Sequence, residues 1–280
     1  MMKFSILIAH YNNGKYFEDC FQSLLSQNYK NWEAIILDDA STDDSVDVIK
    51  KIVGNDGRFR IYYNETNSGV GVTKSRLIEL AKGEICGFVD PDDAILPTAI
   101  SSSMEIYRKK PDVVLTYSLF TKCDGNLNPQ EVFNGGKQVI NKSPYFFNNP
   151  IEIAHFVTFK KKIYNQTEKM DASMKIAEDQ DLYLKMYEKG KVYFINEPNY
   201  LYRMHSGGIS QNENKQKSRK YFAQVIFNAM KRRNLKKING RSVPDEFKNA
   251  DEIYSLLEYQ NTLISKIKRK IIILIQQIFN

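Results

Sequence analysis

The sequence predicts an α/β fold built on a mostly parallel, doubly wound sheet with helices on both faces. Three observations predict it. Over residues 1 to about 110, short apolar runs alternate with segments whose apolar residues recur at helical spacing. Two acidic clusters directly follow two of these runs. The 280 residues are 42% hydrophobic and 26% charged, which is ordinary for a globular protein of one or two domains.

Strands and helices of the first part follow from the same pattern. Strands buried on both faces read as continuous apolar runs, and such runs occupy residues 4–9, 32–37, 59–63 and 85–89. Helical spacing predicts a helix after each strand, over residues 17–25, 48–53 and 72–81, with a fourth opening at Pro97. We expect the hydroxyl and acidic side chains of residues 41–44 to cap the second helix.

The second part of the chain is less regular. Residues 112–165 mix short apolar runs with Asn, Gly and Pro turns, which indicates a smaller α+β region facing a second substrate. A helix over 179–188 and strands over 192–195 and 200–204 follow. After residue 210 the composition becomes rich in Lys, Asn, Gln and Arg with helical periodicity. We predict a catalytic domain over 1–210, divided at residue 97 into a nucleotide-binding half (1–97) and an acceptor-side half (98–210), and a helical tail over 211–280.

The composition says more about the compartment in which the protein works than about what it binds. The net charge of +7 suits nucleic acid, an anionic membrane or phosphate-bearing substrates and does not choose among them. Cys20, Cys86 and Cys123 show no CxxC spacing, so we expect reduced thiols in a cytoplasmic protein. No stretch approaches the roughly 20 apolar residues of a membrane span, and the first apolar run is too short for a signal peptide.

The cluster at residues 90–93, Asp-Pro-Asp-Asp, places three carboxylates at a predicted strand end. Like charges this close repel and favour protonation unless a cation joins them. Carboxylate oxygens with open positions suit Mg²⁺ or Mn²⁺ shared with phosphate oxygens. The alternative is a solvated acidic turn that caps the helix opening at Pro97, and the motif alone does not decide.

Several motifs in one order resemble family 2 glycosyltransferases, the inverting enzymes of GT-A fold found in bacterial surface-polysaccharide pathways. The resemblance covers about residues 3 to 210. The matching segments are SILIAHYNN at 5–13, SLLSQ at 23–27, WE at 32–33, DDASTD at 38–43, NSG at 67–69, AKGE at 81–84, DPDD at 90–93, ED at 178–179 and YRMH at 202–205.

The resemblance implies where a nucleotide-sugar donor binds. It places the nucleoside at Ala9, Tyr11 and Asp39, where a ring can stack on a base and a carboxylate can accept from uracil or ribose. For Asp39 the alternative is a strand-end residue that bonds its own turn.

The acids at 90–93 receive the other end of the donor. The resemblance implies that Asp90 contacts the ribose or diphosphate, whereas Asp92 and Asp93 hold Mn²⁺ or Mg²⁺, with Asp92 as the principal ligand.

The later motifs supply the remaining roles. Asp179 matches the general base that takes the proton of an acceptor hydroxyl, and its alternative role is an ordinary helix cap. His205 is expected to complete the metal shell, and Arg203 to neutralise the donor diphosphate.

Two segments depart from the family pattern. Where the family often has Arg-Asn, this chain has Lys74-Ser75 followed by Arg76; we assign Lys74 and Arg76 to the donor, although a Lys meets phosphate only as a point charge. Ala40 replaces the usual Gly of the DDGSTD motif, which suggests that this position does not need a positive φ.

The sequence therefore predicts a metal-dependent inverting transfer of a sugar, from a donor that we expect to be a UDP-sugar, to a hydroxyl of a glycan or lipid-linked acceptor, with no nucleic-acid partner. A nucleotidyltransferase on a related scaffold and an inactive nucleotide-sugar-binding protein remain alternatives; the loop after the first strand lacks the Gly-rich, basic character that the former needs. The basic, apolar end of the tail either lies on the inner face of the cytoplasmic membrane or packs on protein, on this domain or on a second copy.

Overall fold

The computed structural model describes residues 1–205 and 215–278. The strands are β1 (Phe4–His10), β2 (Trp32–Asp38), β3 (Phe59–Tyr63), β4 (Ile85–Phe88), β5 (Ala94–Ile95), β6 (Val113–Tyr117), β7 (Phe120–Cys123), β8 (Pro129–Val132), β9 (Thr158–Lys160), β10 (Lys191–Phe194), β11 (Tyr200–Arg203), β12 (Lys237–Ile238) and β13 (Arg241–Ser242). The helices are α1 (Phe17–Leu25), α2 (Ser45–Val53), α3 (Val70–Leu80), α4 (Ala99–Lys109), α5 (Lys161–Tyr164), α6 (Glu178–Tyr187), α7 (Lys215–Arg232), α8 (Ala250–Ser255) and α9 (Leu263–Ile278), with a 3-10 turn at Glu258–Asn261.

The main sheet has the strand order β10-β6-β9-β4-β1-β2-β3. Strands β1 to β4 are parallel to their neighbours among themselves, and β10 is parallel to β6. Only β9, among the strands of this sheet, runs antiparallel to both of its neighbours. The mostly parallel sheet predicted from the alternating pattern is therefore confirmed, and it continues from the predicted nucleotide-binding half into the acceptor-side half.

A second, four-stranded sheet has the order β5-β11-β7-β8. Strand β5 directly follows the acidic cluster at 90–93, and it pairs antiparallel with β11, Tyr200 opposite Ile95. This pairing brings the DPDD cluster at 90–93 next to the YRMH segment at 202–205, although they are more than a hundred residues apart in the chain.

The two faces of the main sheet bury different residues. Along β1, Phe4, Ile6 and Ile8 pack with α1, α2 and α4, whereas Leu7 points to the face covered by α3 and α6. Helices α7 and α8 of the predicted tail contribute Ile226 and other buried residues to that second face, so these two helices pack on the core of the α/β fold. The predicted boundary at residue 210 lies outside the described residues.

Two local predictions about the turn after β2 were wrong. The hydroxyls do not cap α2, because Ser41 and Thr42 bond to residues of the strand-end loops. Asp44 is the N-cap residue without a side-chain hydrogen bond, and of the predicted caps only the side chain of Asp43 meets the helix, accepting from the Ser45 N–H at 3.1 Å. Ala40 has a φ of 61°, so this position does adopt the left-handed conformation that the family's Gly accommodates. The sequence hides this because Ala carries no mark of the conformation that its neighbours impose.

Within the described residues, no helix is both long enough and apolar enough to cross a bilayer.

Replacing Ala40 with Gly is expected to stabilise the protein by about 0.5–1 kcal/mol, because the left-handed conformation is costly for a residue with a Cβ. Thermal or denaturant unfolding measures the change. Ala34→Gly is the matched control: Ala34 lies fully buried in extended strand β2, where the same substitution is expected to destabilise. Equal destabilisation by both variants would contradict the assigned backbone conformation.

Candidate active site

The parallel pairing of β1 with β2 places His10 opposite Asp38 at the carboxyl edge of the sheet. Asp38 Oδ1 lies 2.8 Å from His10 Nδ1 and accepts from Ser41 Oγ at 2.5 Å. His10 Nε2 accepts from the Asn13 N–H at 3.2 Å, so the imidazole proton lies on Nδ1 and points at Asp38. His10, a residue of the SILIAHYNN segment to which the resemblance gives no role, is buried and binds Asp38, the first acid of the DDASTD segment.

The loops after β1 and β2 are joined to each other. Asn12 donates through Nδ2 to Thr42 Oγ1 at 3.2 Å and accepts from the Thr42 N–H at 2.8 Å. Its own N–H donates to Ser41 Oγ at 2.9 Å. Tyr11, which directly follows β1, keeps 46% of its surface exposed. Ala9, near the end of β1, is partly buried against the core. Tyr11 is thus an exposed ring at the edge where a base is predicted to bind.

Asp39 is buried and holds the NSG segment that precedes α3. Its Oδ1 accepts from Asn64 Nδ2 at 2.6 Å and from the Ser68 N–H at 2.9 Å, and its Oδ2 accepts from the Gly69 N–H at 2.8 Å. Arg76 donates to the Asn64 side chain. These backbone partners precede α3 and are not in the turn that follows Asp39, which the alternative role had required. Oδ2 retains acceptor capacity for a ligand.

Asp93 is turned into the protein, which corrects its predicted role as a metal ligand. Its Oδ1 accepts from the Arg203 N–H at 2.8 Å and its Oδ2 accepts from Tyr200 Oη at 2.7 Å. Burial, reinforced by the charges of Asp90 and Asp92, raises the pKa of the Asp93 carboxyl well above its usual range. Asp93 fixes the cluster to β11.

Arg203 also differs from its prediction. Its guanidinium donates to the carbonyls of Asp92 at 2.6 Å and Gly125 at 2.8 Å, and it pairs with Asp19 Oδ2 at 2.7 Å. Its face lies 4.5 Å from the centroid of the Tyr16 ring, and only 1% of the side chain is exposed. Because these contacts engage Nε and both Nη atoms, Arg203 shapes the loop that presents Asp92 rather than facing a diphosphate.

Asp92 and His205 face each other at the surface of the cluster. Asp92 Oδ2 and His205 Nε2 are 2.7 Å apart, and the side chains keep 19% and 15% of their surface exposed. The His205 ring packs 5.0 Å from the Tyr16 ring. Within residues 1–205 and 215–278, no group of three or more His, Cys, Asp or Glu side chains is arranged to hold a metal ion. Of the three predicted metal ligands, Asp92 and His205 therefore lie together at the surface, whereas Asp93 does not.

Lys74 connects the acidic cluster to α6. Its ammonium donates to Glu178 Oε1 at 2.7 Å and lies 5.4 Å from the centroid of the Phe88 ring. Burial alone would lower the pKa of Lys74, but the carboxylates of Glu178, Asp90 and Asp179 outweigh it and raise that pKa above its usual value. Lys74 is therefore a cation among three acids, and only 12% of its side chain is exposed.

Asp179 lies in the first turn of α6, and Ala177 occupies the N-cap position with a φ of 64°. Asp179 Oδ1 accepts from the N–H of Gln180, its immediate neighbour, at 2.8 Å. Burial and the charge of Glu178 raise the pKa of Asp179 above its ordinary value, against the opposing charge of Lys74. Asp179 therefore bonds a first-turn N–H, as a capping residue does, and its raised pKa is also typical of a general base.

His155, which the sequence left without a role, joins the acceptor side to the acidic cluster. Its ring stacks on Tyr200 at 4.7 Å and 20°, and Tyr200 donates to Asp93. Its positive form would lower the pKa of Asp179, so the two side chains lie within electrostatic reach. Only the assembled fold shows this, since His155 lies in the irregular region 112–165, outside the motifs that match the family.

The sequence model of glycosyl transferase family 2 matches residues 5–167, more than half of the chain. The chain belongs to glycosyl transferase family 2. It is a glycosyltransferase, as its motifs predicted. The matched region contains Ala9, Tyr11 and Asp39, which are predicted to bind the nucleoside, and the DPDD cluster.

Curated relatives agree with this assignment. The chain is 29% identical over 227 residues to glycosyltransferase GlyG of Streptococcus pneumoniae, covering 75% of this chain and 73% of that protein. It is 28% identical over 254 residues to chondroitin synthase of Pasteurella multocida, covering 89% of this chain but only 25% of the synthase. The chain thus spans about a quarter of the length of that synthase.

Solved structures of similar fold include Staphylococcus aureus TarS 1-349 in complex with UDP-GlcNAc, with a TM-score of 0.67 and 19% identity over 91% of this chain and 70% of that one. The mannosyltransferase PcManGT of Pyrobaculum calidifontis, in complex with GDP-Man and Mn²⁺, has a TM-score of 0.59 and 12% identity over 95% of this chain and 78% of that one. These similarities confirm the predicted GT-A fold.

Arg203→Lys is expected to lower the free energy of unfolding by about 2–3 kcal/mol, because one ammonium cannot replace a fork that reaches three separate partners. Chemical denaturation measures the loss. Arg219→Lys is the matched control, since Arg219 forms an exposed pair with Asp251 that is worth at most about 1 kcal/mol. Equal losses from the two substitutions would mean that the Arg203 contacts contribute nothing specific.

Proposed function

We propose that this glycosyltransferase transfers a sugar, with inversion, from a UDP-sugar to a hydroxyl of a glycan or lipid-linked acceptor, using Mn²⁺ or Mg²⁺. The observation that carries the proposal is the Asp92–His205 pair, which lies in the same cluster as Asp90, Lys74 and the α6 acids. This cluster thus combines a candidate metal site, Asp92 and His205, with a candidate general base, Asp179. A nucleotidyltransferase is set aside by the family assignment.

The pair of Asp92 and His205 fits a divalent cation. A carboxylate oxygen and an imidazole nitrogen are both accepted ligands of Mn²⁺, and two protein ligands leave positions for the oxygens of a diphosphate. PcManGT, a fold neighbour, binds Mn²⁺ with its donor. When bound, the cation would offset the charge that develops on the nucleoside diphosphate as it leaves.

The donor is expected to lie along the carboxyl edge of the sheet. Tyr11 offers an exposed ring for the base, and Asp39 Oδ2 can accept one more hydrogen bond, from a uracil N–H or a ribose hydroxyl. Arg76 lies on Asn64, beside Asp39, so it serves the nucleoside end. UDP-GlcNAc bound to TarS supports a uridine donor by analogy of fold.

The residues of α6 and Lys74 serve the transfer itself. Asp179 takes the proton of the acceptor hydroxyl as that oxygen attacks the anomeric carbon. The bond from this carbon to the diphosphate oxygen breaks on the opposite face, which inverts the configuration. Glu178 holds the Lys74 ammonium in place, and its negative charge helps to keep Asp179 basic enough for this role.

The names of the relatives support a polymer pathway. A chondroitin synthase and GlyG cover most of this chain, and we propose a bacterial surface polysaccharide or lipopolysaccharide as the product, with a hexose or N-acetylhexosamine as the sugar. In this setting the enzyme would act in the cytoplasm, where nucleotide sugars are made available.

Asp92→Asn is expected to weaken Mn²⁺ binding in the presence of UDP by at least about tenfold, because it removes a charged ligand. Isothermal titration with and without UDP measures this. Asp93→Asn is the matched control: its amide can still accept from the Arg203 N–H and donate to Tyr200, so Mn²⁺ affinity should stay within about twofold.

A larger loss from Asp93→Asn than from Asp92→Asn would reverse our assignment of the two acids. If the wild-type chain bound UDP and Mn²⁺ but released no UDP from any of a panel of UDP-sugars with acceptors, it would be an inactive binding protein.

Asp179→Asn is expected to lower turnover by about 10²–10⁴-fold, the usual contribution of a general base. In the wild type the carboxylate must be ionised, so activity falls as the pH drops through the pKa of Asp179. Since this pKa is raised, the acid limb of the pH–rate profile should lie above the ordinary Asp value of about 3.9.

Glu178→Gln tests the cause of that shift. Removing the negative charge beside Asp179 is expected to lower its pKa and move the acid limb to lower pH. An acid limb that stays in place in Glu178→Gln, or persists unchanged in Asp179→Asn, would show that another group controls the profile.

A further inference from the structure

Helix α9 displays a stripe of large apolar side chains to solvent. Residues spaced three, four, seven and eight apart lie on one face of a helix, and here that face is the exposed one. Six exposed members keep between 49% and 73% of their surface accessible: Leu263, Ile264, Ile267, Ile271, Leu274 and Ile275. Ile272, which is 42% exposed, widens the stripe beyond Ile275. A surface helix of a globular protein normally turns such a stripe inward.

The opposite face of α9 holds the helix on the catalytic domain. Arg269 pairs with Glu152, whose side chain is 1% exposed and also lies 3.2 Å from Lys137 Nζ. Gln276 accepts from the Asn141 N–H at 3.1 Å and donates to the Asn141 carbonyl at 3.2 Å. The polar side of α9 therefore faces the protein, which fixes the apolar stripe outward.

Lysines border the stripe on both sides. Taking 100° per residue, Lys268 falls between Ile275 and Ile272 at one border, and Lys266 and Lys270 fall beyond Leu263 at the other. The segment 263–278 contains no Asp or Glu. All of its charge is thus positive, and the exposed cations lie where the stripe meets solvent.

The positions of the lysines distinguish between two partners that could cover the stripe, a second copy of the chain and an anionic bilayer. If a second copy covered the stripe, apposing two α9 helices would bring their lysine borders toward one another, with no acid on either helix to compensate. An anionic bilayer instead takes the isoleucines between its acyl chains and the lysines among its headgroups. We propose that α9 docks this glycosyltransferase on an anionic lipid surface, lying in the plane of that surface.

The docking face lies on the acceptor side of the enzyme. Glu152, which binds Arg269, donates its N–H to Asn148 Oδ1 at 2.9 Å, and Asn148 Nδ2 donates to Gln180 Oε1 at 2.7 Å. Gln180 is the neighbour of Asp179. If the proposed function holds, this short path places the general base close to the surface where a lipid-linked acceptor resides; docking itself does not depend on that function.

Flotation with vesicles of phosphatidylcholine plus phosphatidylglycerol, compared with phosphatidylcholine alone, tests the proposal on the full chain. The wild type is expected to float with the anionic vesicles only. Ile271→Asp should reduce partitioning by about tenfold or more, since it puts a carboxylate into the stripe. Lys268→Glu should reduce it at least about fivefold through lost attraction to the headgroups.

Val132→Asp is the matched control, because it makes the same change of apolar to acidic residue at an exposed position of β8, away from α9. Its partitioning should fall no more than about twofold, as expected for one unit of net charge. Unchanged unfolding midpoints in all variants confirm that they are folded. Equal losses from Val132→Asp and Ile271→Asp would overturn the proposal.

Sedimentation of the protein without lipid tests the alternative that a second copy of the chain covers the stripe. A monomer that floats with anionic vesicles supports docking. A dimer that Ile271→Asp dissociates, together with no flotation of the wild type, would show that a second copy covers the stripe and would overturn the proposal.

Discussion

Repulsion among carboxylates at the carboxyl edge of the sheet is the constraint that organises this protein. The edge holds acids from β2, from the turn after β4 and from the start of α6, and each that is buried has its own partner. Asp38 has an imidazole N–H, Asp39 has two backbone N–H groups and an amide, Asp93 has a phenol and a backbone N–H, and Glu178 has an ammonium. Without these partners the acids would have to protonate or spread apart.

The partners also determine which acids remain available. Once Asp93 is bound to Tyr200 and Arg203 is bound to the Asp92 carbonyl, the carboxylate of Asp92 faces outward toward His205. The cluster of like charges at 90–93 is therefore divided between a structural acid and an accessible one. This division explains why neighbouring residues of one short motif are expected to respond so differently to substitution.

Much of the fold could be predicted from sequence, because strands buried on both faces appear as continuous apolar runs and the helices between them keep their spacing. The motifs also predicted which residues lie at the carboxyl edge of the sheet. The roles of Asp93 and Arg203 did not, because their contacts join β11 to a turn about a hundred residues earlier, and no local pattern records such a pairing. The left-handed Ala40 was hidden because alanine carries no mark of its backbone conformation, and the position of His155 because its contact with Tyr200 forms only in the assembled fold.

The strand β9 carries a mechanical consequence. It runs antiparallel between β4 and β6 and hydrogen-bonds to both, so one sheet passes without a break through the predicted nucleotide-binding and acceptor-side halves. Rotating one half against the other would break those ladders, which makes a hinge between them energetically costly. Under the proposed function, entry of substrates and exit of the nucleotide would rely on motion of the loops above the sheet and not on rotation of the two halves.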